Sequence, residues 1–184
     1  MTSINLCLTA QEIEILRSMV GKKLVSIQHD KFRYTNTSFK AVALHIEDAT
    51  YYLYSLTEVM DFYGDTEEVA RWSLQAGKKD FIDAKDWIVS PIDETIRDIR
   101  LVQEHQEVFD GEEQTDDVLV TRGLIFDFGD RELSFEKAAW FSEDIYIQKG
   151  QDLISTFTRT SDFEEDEWPD GLTAKCTRSI LTLA

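Results

Sequence analysis

Proline and glycine are scarce, at two and eight residues in a chain of 184. That excludes collagen-like, low-complexity and proline-rich disordered compositions. Cysteine is equally scarce. Cys7 and Cys176 stand near opposite ends of the chain; two thiols make no disulfide framework, and both read as reduced thiols of a cytoplasmic protein. Long hydrophobic runs are missing too. No stretch approaches the ~20 apolar residues that cross a bilayer, and residues 1–10 lack the basic start and apolar centre of a signal peptide.

Positive charge is in short supply. There are 19 Lys and Arg against 36 Asp and Glu, a net charge of −17. The imbalance is uneven: residues 1–92 carry a net −3 and residues 93–184 a net −14. Such a surface repels phosphate backbones and anionic membranes, because both are bound through lysine and arginine. Nucleic acid and membrane are therefore excluded as expected partners. A basic protein is attracted instead, and its encounter is accelerated.

Signatures of known chemistry are absent as well. A phosphate-cradling loop needs Gly-x-x-x-x-Gly-Lys-Ser/Thr; before Gly77-Lys78 the first glycine position holds Trp72, and Lys79 replaces the hydroxyl. No Gly-x-Gly-x-x-Gly, Gly-x-Ser-x-Gly, His-Glu-x-x-His or Cys-x-x-Cys occurs, so no cofactor, catalytic residue or metal ligand is assigned. Asp162, Glu164 and Asp166 alternate like the start of a calcium loop, but Glu167 occupies the position that needs glycine for the sharp turn. His29, His45 and His105 are scattered; His105 and Glu107 have the spacing to share one strand face.

What is present is enough apolar material for a core, 42% of residues with 11% aromatic. Thr9 and Glu12 have capping-box spacing, and Ile13, Leu16, Met19 and Val20 follow at helical intervals up to Gly21. Residues 22–27, 39–46 and 51–56 alternate as strands, the last two as a hairpin across residues 47–50. Asp65 and Glu68 predict a short helix with Val69 and Trp72 turned inward. Residues 87–89 read as extended, with a break at Pro91. Residues 145–147 read as a strand, residues 151–158 show no pattern, and residues 172–183 read as a closing strand that brings Cys176 into the sheet.

The two halves resemble each other. At an offset of 80, Leu44 meets Leu124, Ile46 meets Phe126 and Leu53 meets Leu133. The expected fold is α+β and β-rich. Antiparallel sheet comes from two similar hairpin-containing halves, about residues 16–74 and 88–150, in one compact domain over residues 1–184. An N-terminal helix packs on the sheet, and an acidic loop precedes the closing strand.

Two acidic segments stand out. Residues 110–117 read as an exposed hairpin tip bearing Glu112, Glu113, Asp116 and Asp117. Residues 163–168 set Phe163 and Trp168 among Glu164, Glu165 and neighbouring acids. A third cluster is Trp140-Phe141-Ser142-Glu143-Asp144. Aromatic anchors ringed by charge are interface composition. The first reading is a non-catalytic acidic protein that docks on a basic partner as immunity proteins, antitoxins and inhibitors do, through Glu112, Glu113, Asp116, Asp117, Glu164, Glu165 and Trp168. The alternative is an enzyme with a dispersed carboxylate and histidine site, for metal-assisted hydrolysis. A third reading is a homo-oligomer that closes its sheet edges against a second copy.

Overall fold

The structure, a computed structural model, describes residues 3–184; Met1 and Thr2, the start of the segment read for a signal peptide, lie outside it. Among the described residues no helix is long and apolar enough to cross a membrane. The chain is β-rich α+β and almost wholly antiparallel.

Before the first full strand, a short β1 (Ile4–Leu6) leads to helix α1 (Ala10–Met19). Thr9 accepts from the Glu12 backbone N–H while the Glu12 carboxylate accepts from the Thr9 N–H, which satisfies two of the free amides at the helix start. Leu16 and Met19 are fully buried on its inner side. Glu12 also accepts from the Leu74 N–H at 3.0 Å, tying the helix to the sheet edge beside it.

The strands form two sheets. In the first, β2 (Lys23–His29), β4 (Ala41–Ile46), β5 (Ala49–Phe62) and β6 (Asp65–Ala76) make a meander, and β7 (Ile88–Thr95) returns to pair with β2. In the second, β8 (Asp98–Asp110), β9 (Glu113–Asp127), β10 (Glu132–Lys137) and β11 (Asp144–Gly150) make a meander, and β12 (Leu172–Thr182) returns to pair with β8. The short β3 (Thr37–Phe39) joins the free edge of β11. β1 runs parallel to β9 at Val118–Val120, in the stretch that β10 leaves uncovered.

Facing apolar stripes close the core. Leu24, Val42, Leu44, Leu53, Trp72 and Leu74 of the first sheet pack with Ile99, Leu101, Leu124, Phe126, Leu133 and Phe135 of the second. Each such side chain contributes roughly 1.5–3 kcal/mol on burial. A second cluster lies beyond the sandwich. The far half of the β5–β6 hairpin brings Phe62, Tyr63 and Val69 against Ile4, Leu6, Val118 and Val120. Gly123 permits a close approach on β9: a Cβ there would stand 2.5 Å from the Phe135 carbonyl oxygen and 2.5 Å from the Phe157 ring. Gly123→Ala is expected to cost about 1–3 kcal/mol by overpacking. The check is a lower urea midpoint with the slope unchanged.

Several local expectations are corrected. Residues 65–72 are strand rather than helix. Tyr63 and Gly64, both at positive φ (59° and 97°), make a tight turn whose twist suits a hairpin, and the Asp65 segment is thereby zipped onto β5. Pro91 does not break the chain. It sits within β7, an edge strand, opposite Ser26 where the register shifts. The hairpin tip is shorter than residues 110–117, because pairing starts at Asp110↔Glu113, which places Glu113, Asp116 and Asp117 in β9 itself. Residues Leu153–Thr156 form a 3-10 turn, and Thr160–Glu164 form a short helix, α2, at the start of the acidic segment.

Candidate functional site

Strand β8 separates two environments by alternation. Ile99 and Leu101 face the core, whereas Val102, Glu104, Gln106 and Val108 point to the outer side of the second sheet. Two bulges shape that outer side. Val102 pairs with Gly123 and Gln103 with Thr121, leaving Arg122 as an extra residue; Val108 pairs with Asp116 and Phe109 with Gln114, leaving Thr115 as another. Bulges re-aim side chains. Arg122 lines a cavity on this face, and Asp116, opposite Val108, shares its face.

The floor is a buried charge network. The Glu104 and Glu136 side chains are 3% and 4% exposed, too little for water to solvate them. Arg122 donates to Glu136 through Nε at 3.2 Å and through a terminal nitrogen at 3.0 Å. Arg178 donates to Glu104 through Nε at 3.1 Å, and the Thr158 N–H donates to Glu136 at 2.8 Å. Such pairing is what allows carboxylates to be buried at all. The neighbouring Cys176 thiol is pushed up to about 12 by burial and by the Glu104 carboxylate, which leaves it a protonated, unreactive thiol.

Above this floor lies a groove made of three adjoining cavities. One, about 420 Å³, runs between β8, the 138–141 loop and α2, with Gln106, Arg122, Phe141 and Asp166 in its lining. A second, also about 420 Å³, is lined by Phe62, Asp65, Glu67 and Asp116. A slot of about 100 Å³ joins them, and Trp140 lines all three. The walls are aromatic. Phe62 stacks on Trp140 with centroids 5.1 Å apart, and Phe163 meets Trp168 edge-on at 5.2 Å. The Trp168 indole N–H is spent on the Phe163 carbonyl at 2.9 Å.

The loop that carries Trp140 is clamped from below. Lys137, 1% exposed, donates to the Ser142 carbonyl at 3.1 Å and to Ser55 Oγ at 3.2 Å. The Ala70 N–H donates to the Trp140 carbonyl at 2.8 Å. Burial, with the nearby Arg122 charge, drops the Lys137 ammonium to about 7.

Charge on the groove is unbalanced. Arg122 and Arg159 are taken by Glu136 and Asp162. Among the described residues, Asp65, Glu67, Asp116 and Asp166 have no lysine or arginine nitrogen within 4.0 Å, whereas acids such as Asp93, Glu94, Glu132, Glu143 and Asp144 do.

The residues expected to bind a partner are only partly brought together. Pairing of Asp110 with both Glu113 and Leu172 sets the β8–β9 tip beside the acidic segment. Asp116 and Trp168 line the groove. Glu112, Glu113 and Glu165 are exposed at the same end of the sheet, outside the cavities. Asp117 is engaged internally: Ser3 donates to it at 2.7 Å, His105 lies 2.7 Å away, and these partners hold its carboxyl below the usual range. Glu164 accepts from the Cys176 N–H at 2.9 Å. Phe62, Asp65, Glu67 and Gln106 belong to the groove without any local sequence signal.

His105 is not joined to Glu107, which lies by Lys175 instead. His45 lies between Thr50 and Gln28. Among the described residues no three His, Cys, Asp or Glu side chains converge as a metal site. Comparison with protein-family models, with curated proteins and with solved structures finds no match to this chain.

Proposed function

We propose that this is a non-catalytic acidic binding protein that docks on a basic protein, as immunity proteins, antitoxins and inhibitors do. One observation carries the reading: Asp65, Glu67, Asp116 and Asp166 lack cationic partners among the described residues and line a groove walled by Phe62, Trp140, Phe163 and Trp168. Carboxylates of this kind steer an oppositely charged partner, and the rings supply apolar area once it has arrived. Glu112, Glu113 and Glu165 add to the steering field at the same end. His105 and His45 lie apart from the convergent acids, so the enzymatic alternative has no comparable support.

The two sheets share one strand order, a four-strand meander whose first strand is flanked by a strand from further along. That shared order supports a duplicated β unit within one domain.

The triple variant Asp65→Asn, Glu67→Gln, Asp116→Asn tests the docking reading. With a partner captured from the native organism, its association is expected to slow by roughly tenfold or more at low salt, with little effect at high salt. Association that ignores both salt and the three carboxylates would refute it.

A further inference from the structure

The slot between the two larger cavities has a feature that general acidity does not explain. Gln106 is 6% exposed. Its Nε2 donates to Glu104 Oε2 at 2.9 Å, and its Oε1 is buried with no hydrogen-bond partner among the described residues. Rotating the amide by half a turn offers no escape, because two oxygen acceptors would then face each other across the Glu104 contact. A buried acceptor left unmet costs stability. Trp72 Nε1, Arg100 Nε and Asp144 Oδ1 are likewise buried without a hydrogen-bond partner among the described residues, but of the four residues Gln106 alone lines the slot, where a ligand with N–H donors would complete it.

The surroundings define that ligand. The slot, about 100 Å³, is lined by Gln106 and Asp116 as acceptors and by the rings of Phe62, Trp140, Phe163 and Trp168. No lysine or arginine among the described residues lines it. An anion would meet Asp116, and an apolar side chain would leave Gln106 Oε1 unsatisfied. A cation with several N–H donors meets both acceptors and gains from the ring faces.

We propose that this slot receives one arginine side chain of the basic partner. A guanidinium is flat, stacks on aromatic faces, is weakly hydrated, and carries donors at fixed angles that can serve two acceptors at once. An ammonium is a strongly hydrated point charge and gains less from such walls. The inference rests on the docking reading and sharpens it: the groove selects arginine over lysine at this position, beyond its attraction for positive charge.

The test uses the full chain with acetylated, amidated hexa-arginine and hexa-lysine as probes, titrated by calorimetry at low ionic strength. Hexa-arginine is expected to bind about tenfold tighter or better. Gln106→Met, which keeps the length and removes the acceptor, is expected to close the gap by weakening hexa-arginine binding more than hexa-lysine binding. If that variant does not fold, Asp116→Asn decides, since it is expected to narrow the same gap. Equal binding of the two peptides, or a gap that survives these substitutions, overturns the arginine slot and leaves the docking surface standing. No binding of either peptide overturns both.

Discussion

Glu104→Ala is expected to remove about 3–5 kcal/mol of stability, the usual cost of leaving buried charges without their counterion. Glu104 accepts from Arg178 and Gln106 and has Arg122 Nε 4.0 Å away. Removing it strands the Arg178 guanidinium, which is 17% exposed and anchors β12 to β8. Arg122 keeps Glu136, whereas Arg178 is left with the Thr158 carbonyl as its acceptor. The loss is expected as a lower urea midpoint followed by tryptophan fluorescence. Glu104→Gln, which keeps an acceptor and loses the charge, should fall between the two. A Glu104→Ala midpoint close to that of the parent would show the network to be energetically idle.

Lys137→Met is expected to stabilise the protein, and by an amount that depends on pH. The unfolded chain holds the Lys137 proton up to its ordinary value of 10.5, while burial makes the fold release it at about 7. Between those values the unfolded state binds more protons, so the parent gains stability as pH rises through that window. Below 7 the folded state carries the buried charge in full, a penalty on the order of 5 kcal/mol from the size of the displacement. The hydrogen bonds to Ser55 and Ser142 offset part of it, at about 1 kcal/mol each. Methionine escapes the penalty and forfeits those bonds. Lys137→Met should therefore be more stable by about 2–4 kcal/mol at pH 6, with the advantage shrinking to nothing by pH 10. Glu143, which favours the charged form, and Arg122, which opposes it, are the charges that face this group. Parallel stability–pH curves for the two proteins would contradict the assignment.

Alternation made the sheet character legible. Val42, Leu44 and Ile46 on one strand and the loose alternation after Leu172 come from residues that pack one face of a sheet. Competing local signals hid the rest. Asp65 and Glu68 imitate a helix start, but the turn at Tyr63-Gly64 and the long β5 beside them decide the conformation through pairing. Pro91 suggests a break because its position on an edge cannot be seen without the strand order. β1 is three residues long and parallel, with too few positions to show a period.

The groove was legible only in its composition. Asp116, Trp168 and the Trp140-Phe141 pair are marked by aromatic rings amid acid. Asp65 and Glu67 arrive from the other sheet on the β5–β6 hairpin, a tertiary contact that no local pattern encodes. Gln106 looks like any polar residue in a strand, and the bulges at Thr115 and Arg122 that shape its neighbourhood are register events rather than sequence motifs.

The return of β12 to β8 also sets the order in which the surface can come into being. The β8–β9 hairpin is local and can zip early, but the wall carrying Phe163 and Trp168 arrives only when a distant strand finds its edge, with Leu172 against Asp110 at one end and Thr182 against Arg100 at the other. Contacts of such separation form slowly, because loop-closure entropy is spent before they reward it. The groove is thus complete only in the finished topology: a chain whose second meander has formed without this last strand already carries the cavity beside Asp65 and Glu67 but lacks the wall that closes the slot.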